Sequence, residues 1–297
     1  MAETPETDLH GPDGVFSEDT KTLMTATYLA VWEFTAGTTS AVAERLVASR
    51  WAHFRTGSRI HIVMSEGLAF WASYLARLYI TRDRYTTACR EFTEFRAANH
   101  DEHADNVAEQ MIGQFGHEDR IRLEIESFYV ATKLLLERIA VTFGFFFNHP
   151  VPATGSAHTF LCMKFKKWSS EITERQKTPP KLYGLMKKLS TGVVSFRNIH
   201  IEHPSYPTVG VRQWTSTHTL ADGTSYISAS AVSAASDTLH ASVTQQTENP
   251  ADIIALVEEY IGEMLNYFDT YRHASIFGPE RADSSSSHQG SKTGSTG

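Results

Sequence analysis

The chain has 297 residues, 41% hydrophobic and 21% charged, with 17 Phe, 11 Tyr and 5 Trp. Such a composition excludes disorder throughout, because enough apolar surface can be buried to offset the entropy of ordering. A formal charge of −7 excludes a nucleic-acid binder that is basic as a whole. The two cysteines, Cys89 and Cys162, form neither a disulfide framework nor a Cys-x-x-Cys metal site. They fit buried apolar residues of a chain in a reducing compartment, or one bridge to each other.

Residues 1–17 lack periodicity, and Met1–Phe16 has neither the basic nor the apolar region of a signal peptide. Residues 274–297 are rich in Ser and Gly. Both stretches read as disordered tails around a folded domain at 18–273. The most apolar run, Ile139–Phe147, is far shorter than the ~20 residues that span a bilayer, so no membrane partner and a cytoplasmic location are expected.

Ser17 is a good N-cap, and helical pattern follows to about Phe54, with Gly37–Ser40 as the place for a break. A second helix is expected over Ile60–Ile80, with Val63, Met64, Leu68, Trp71, Leu75 and Leu78 on one stripe. A third uses Tyr85, Cys89, Phe92 and Phe95, before a polar loop at Asn99–Asp105. From Glu118 to Phe147 the apolar positions recur at helical spacing, and Asn148-His149-Pro150 ends the run. Thirty residues make a helix of about 45 Å, long enough for the spine of a bundle.

Phe160–Gln176 resumes the helical pattern, and Thr178-Pro179-Pro180 starts another helix that runs through Phe196 toward His203. The texture then changes. Thr208–Ala235 is rich in Thr, Ser and Val, and Asp222-Gly223 signals a hairpin turn. Asn249 and Pro250 open the last helix, whose buried face includes Ile253, Val257, Tyr260, Ile261, Met264 and Phe268. The expected fold is mainly α: a helical bundle with a two-stranded antiparallel hairpin, about 208–235, inserted before the final helix.

The densest group of chemistry-bearing side chains is Arg197-Asn198-Ile199-His200-Ile201-Glu202-His203, just before Pro204. At helical spacing Arg197, His200 and His203 form one ladder that continues the line of Val193 and Phe196. Cleavage of RNA through its own 2′-OH needs a base for that proton, an acid for the leaving 5′ oxygen and a cation beside the phosphorus. Histidine titrates near neutrality and serves as either acid or base, and arginine matches phosphate oxygens with two donors. No metal or other cofactor is required. The bland reading is that these are cations and imidazoles capping a helix C-terminus.

Charge placement bears on the choice. Between Phe160 and Arg197 nine Lys or Arg face two Glu, a local +7 that leaves −14 on the remainder. Within this stretch Lys164, Lys166, Lys167, Lys187 and Lys188 are the candidate substrate-binding residues, as a docking face for an anionic partner such as RNA. Lysines on exposed helix faces also serve solubility. His100-Asp101-Glu102-His103 has the composition of a metal cluster but sits in a polar loop without a further ligand, and reads as solvated.

The Arg-Asn pair followed by His203, near the end of a late helix, resembles the motif of the HEPN superfamily. That motif is an Arg separated from a His by four to six residues, often with Asn or Asp after the Arg. Glu126-Ser127-Phe128-Tyr129 through Phe143, with Leu134-Leu135-Leu136, is similar to the central helix of HEPN-like bacterial and phage proteins. The resemblance covers about 120–270. It implies a helical homodimer whose paired motifs form a metal-independent endoribonuclease site, in a toxin or anti-phage effector. Arg197 would stabilise the phosphorane, His203 would act as acid or base with His200 assisting, and Asn198 would orient the motif. The alternative is a non-catalytic helical protein that binds RNA or another protein.

Overall fold

The computed structural model describes residues 54–99, 107–152, 155–174, 178–198, 201, 211–219, 225–234, 242–246 and 248–275. It also describes Ala26, Ala30, Glu33 and Phe34, all with helical backbone. The expected tails apart from Ala274 and Ser275, which finish a 3-10 turn at Arg272–Ala274, most of 18–53, the His100–His103 cluster, His200, His203 and Asp222-Gly223 lie outside these residues.

The architecture is mainly α, with a small antiparallel sheet before the final helix. Helix α1 runs Phe54–Ala98, α2 Val107–Phe146, α3 Ala157–Ile172, α4 Pro180–Leu189 and α5 Pro250–Thr270. The two helices expected between Ile60 and Phe95 are one helix of 45 residues, because no Pro or Gly interrupts 68–98. Helix α2 has 40 residues and starts well before Glu118. It lies antiparallel to α1, as Arg120 pairs with Glu91 near one end and Trp71 Nε1 donates to Thr142 Oγ1 (3.2 Å) near the other.

The core is strongly aromatic. Phe146 and Phe268 stack at 4.5 Å, Phe143 lies within 6.1 Å of Phe268, and Trp71, Phe165 and Tyr267 surround them. Tyr79 donates to Glu258 and ties α1 to α5. Among the described residues no helix is long and apolar enough to cross a membrane.

The hairpin is β1 Val211–Thr219 and β2 Ser225–Ala234, antiparallel, with a register shift between Arg212 and Thr215. A third strand, β3 Ser242–Gln246, extends it in the order β1-β2-β3. Ile227 joins the core, and its carbonyl accepts from the Tyr85 hydroxyl of α1. The sheet is thus held against the bundle rather than inside it.

One local departure shapes the candidate site. Residues Ser190–Ser195 wind as a π-helix instead of continuing α4. Thr191, Gly192, Val193 and Val194 are poor α-helix formers. Ser195 Oγ donates to the Ser190 carbonyl five residues back (3.2 Å), in step with the wider winding. Single π-turns are frequent at functional sites.

Candidate functional site

Phe196 fixes the segment. Its ring is buried against Tyr129 of α2, centroids 4.5 Å apart, and the Tyr129 hydroxyl accepts from the Glu248 amide (3.1 Å). Arg197 follows at once and is half-buried, as is Asn198. Arg197 Nη1 donates to Asn198 Oδ1 at 3.3 Å, a long bond that braces the guanidinium beside the amide.

The neighbours of Arg197 come from the long helix, one and two turns beyond Tyr129. Lys133 and Glu137 are both half-buried and spaced so that they share one face of α2. Burial lowers the pKa of Arg197, with Glu137 opposing that shift. Burial also lowers the pKa of Lys133; the nearby Arg197 adds to the drop and Glu137 works against it. Lys133, Glu137 and Arg197 thus lie close enough to influence one another's charge.

That carboxylate is already engaged. Glu137 accepts from Ser156 Oγ (2.7 Å), the Ala157 amide (2.5 Å) and the His158 amide (3.4 Å). Ser156 in turn caps α3 by accepting from the Thr159 amide (3.2 Å). A carboxylate at the N-terminus of a helix complements both its orphan donors and its dipole. Glu137 is chiefly the cap of α3, and the group of Lys133, Glu137 and Arg197 keeps a net charge of +1.

The lysines anticipated as substrate contacts are exposed along α3 and α4. Lys166 and Lys187 converge on the ring of Tyr183, at 4.9 and 5.9 Å from its centroid, and Tyr183 is itself parallel to Phe165. Lys164 lies over Phe160 at 5.8 Å, and Lys167 sits 3.8 Å from Glu171. Lys188 is exposed in the last turn of α4. Lys181, by contrast, is held between Glu259 (2.9 Å) and Glu263 (2.8 Å), so it adds little to the cationic face.

Arg197 and Asn198 are thus brought together, and the Arg197–His200–His203 ladder cannot be followed, because both histidines fall outside the described residues. Lys133 and Glu137 were not anticipated. Their spacing of four on one helix was visible, but nothing local tells which other element crosses that face. Cys89 is buried and Cys162 half-buried, and both are free thiols. Among the described residues no three His, Cys, Asp or Glu side chains converge as metal ligands.

No protein-family model, curated protein or solved structure matches this chain.

Proposed function

We propose that this protein is a cytoplasmic, metal-independent endoribonuclease of HEPN type that acts as a homodimer, in a toxin or anti-phage role. The observation that carries the reading is the meeting of Lys133 and Arg197 beside a carboxylate already committed to capping α3. Two cations drawn to one half-buried place can give a phosphodiester both charge and several N–H donors. In the reaction, His203 or His200 removes the 2′-OH proton, and the 2′ oxygen attacks phosphorus. The 5′ oxygen leaves with a proton from the second imidazole, giving a 2′,3′-cyclic phosphate and a 5′-OH end. Arg197 offsets the charge that builds on the phosphoryl oxygens, and Asn198 orients the guanidinium. Lys164, Lys166, Lys167, Lys187 and Lys188 guide the strand.

A second reading is supported by a different observation. Ile112, Leu123, Leu134 and Val141 of α2 are exposed, at 71, 60, 37 and 47%, and recur at spacings of eleven and seven on one helical face. Exposed apolar stripes mark protein contacts. They suit either the second copy that the first reading needs or a different protein bound without catalysis.

The test is incubation with mixed RNA, with and without a chelator, beside Arg197→Ala, His203→Ala and Lys133→Met. Cleavage that survives chelation, yields cyclic phosphate and disappears in Arg197→Ala and His203→Ala at unchanged melting temperature is expected. Absence of cleavage by the wild-type protein, or cleavage that persists in Arg197→Ala, overturns the reading.

A further inference from the structure

A second candidate site lies at the opposite end of α3. Helix α2 stops in a Schellman-type turn: Asn148 adopts φ 56°, and the His149 amide donates to the Gly144 carbonyl at 2.7 Å. This fixes where His149 leaves the helix. Its imidazole then stacks on Trp168 of α3, with centroids 4.9 Å apart and planes 6° from parallel. Trp168 is buried, so the imidazole has a rigid backing.

The stacked ring forms one wall of a cleft of about 380 Å³, whose other sides include Phe147, Ile172, Glu171 and Ser275. That volume is within the ~300–1,000 Å³ usual for small-ligand sites. The Glu171 side chain is 49% exposed, with Oε2 at 4.0 Å from His149 Nε2 and Oε1 at 3.8 Å from Lys167 Nζ. Neither distance is a hydrogen bond, so both carboxylate oxygens keep acceptor capacity. Burial lowers the pKa of His149 below its ordinary value, against the pull of Glu171.

We infer that this cleft takes a guanine base of a bound RNA, an inference that rests on the RNA reading above. The flat face of the imidazole, backed by Trp168, suits a planar ring. A carboxylate with two open oxygens suits two adjacent N–H donors. Guanine presents such a pair at N1 and N2. Adenine and cytosine place an acceptor nitrogen next to their amino group, which would face the carboxylate unfavourably. Uracil offers one N–H between two carbonyls. Lys167 is 75% exposed, and its pairing with Glu171 is of the weak surface kind. Once the base engages Glu171, the Lys167 ammonium is placed for the adjoining phosphate.

Isothermal titration of the full chain with guanosine 5′-monophosphate, and with the adenosine, cytidine and uridine analogues, tests this. Millimolar or tighter binding of the guanosine nucleotide, at least about tenfold above the others, is expected. Glu171→Gln should abolish that preference, His149→Phe should retain binding through the stack, and His149→Ala should weaken it. Each variant is checked for an unchanged melting temperature. Equal binding of all four nucleotides, no binding of any, or unchanged selectivity in Glu171→Gln overturns the inference. Arginine amide offers the same donor pair, and saturation by it but not by the guanosine nucleotide also overturns it, in favour of a peptide ligand. Arg197→Ala should leave the preference for the guanosine nucleotide intact. Guanosine binding without RNA cleavage would sink the nuclease reading alone, and cleavage without guanosine binding would sink the cleft alone.

Discussion

His158 gives the sharpest handle on stability. It is the second residue of α3, fully buried, and neither ring nitrogen has a hydrogen-bond partner among the described residues. Its ring meets Tyr260 edge-on at 5.8 Å. Burial pushes its pKa from 6.5 down to about 4. The folded state therefore rejects the imidazolium, while the unfolded chain accepts it. The contribution to stability is complete above pH 6.5, falls as pH drops from 6.5 to 4, and changes no further below that. At about 1.4 kcal/mol per pH unit the whole window is worth about 3 kcal/mol. The partner variant is His158→Phe, which keeps the edge-on ring and removes the titration. Urea unfolding of both proteins at pH 7 and pH 4.5 separates this group from all others, because the remaining carboxylates and histidines are common to both. The wild type should lose about 2.5 kcal/mol more than His158→Phe on acidification, within the window set by the two pKa values. At pH 7 the variant should be as stable as the wild type or more so, since two unsatisfied nitrogens leave the core. Parallel losses in the two proteins would show that His158 is solvated or partnered, and the reasoning would fail.

Three further outcomes follow from named contacts. Glu137→Gln weakens the cap of α3 and should cost about 1 kcal/mol, yet raise the affinity of the Lys133–Arg197 group for RNA by removing its internal counter-charge; chemical denaturation and filter binding check the opposite signs. Gly144→Ala would set a Cβ 2.5 Å from both the His149 carbonyl and Val151 Cγ2. It should destabilise by about 1–3 kcal/mol despite the better helix propensity of Ala, and weaken guanosine binding with it. Tyr85→Phe strands the buried Ile227 carbonyl and should cost about 1–2 kcal/mol. Faster hydrogen exchange in β2, with α5 unchanged, would identify the lost tie.

The helices were legible where apolar residues recur at helical spacing and a cap or Pro marks the end. Asn249-Pro250 and Asn148-His149-Pro150 placed the start of α5 and the end of α2 closely. The join within α1 was not legible, because Thr81 to Arg84 is polar and resembles a break, although every residue there can continue a helix. The π-turn at Ser190–Ser195 was invisible because poor α-helix formers such as Thr191, Gly192 and Val193 weaken an α-helix without telling which other winding replaces it. Strand β3 was missed because Ser242–Gln246 carries no apolar alternation; it is recognised by its antiparallel pairing with β2. Arg197 and Asn198 were legible as a local motif. Lys133, Glu137 and the His149–Trp168 stack were not, since each depends on two elements crossing, and a single sequence records spacing along one element only.

The two candidate sites share α3, and their separation has a measurable consequence. Glu137 meets the helix at Ala157, and Glu171 lies fourteen residues further on. At 1.5 Å per residue this is about 21 Å. A stacked single strand advances about 3.4 Å per nucleotide, so roughly six nucleotides separate a guanine in the cleft from a phosphate at Arg197. A guanine trinucleotide seated in the cleft is too short to reach Arg197, whereas a dodecamer with a guanine near one end engages both, and the second contact becomes intramolecular. Glu171→Gln and Arg197→Ala should therefore each weaken the dodecamer, with a clear coupling energy in the double-mutant cycle. On a guanine trinucleotide only Glu171→Gln should matter. If Arg197→Ala weakens the trinucleotide as strongly as Glu171→Gln does, the base and the phosphate occupy one pocket, and the assignment of the two ends of α3 to separate contacts is wrong.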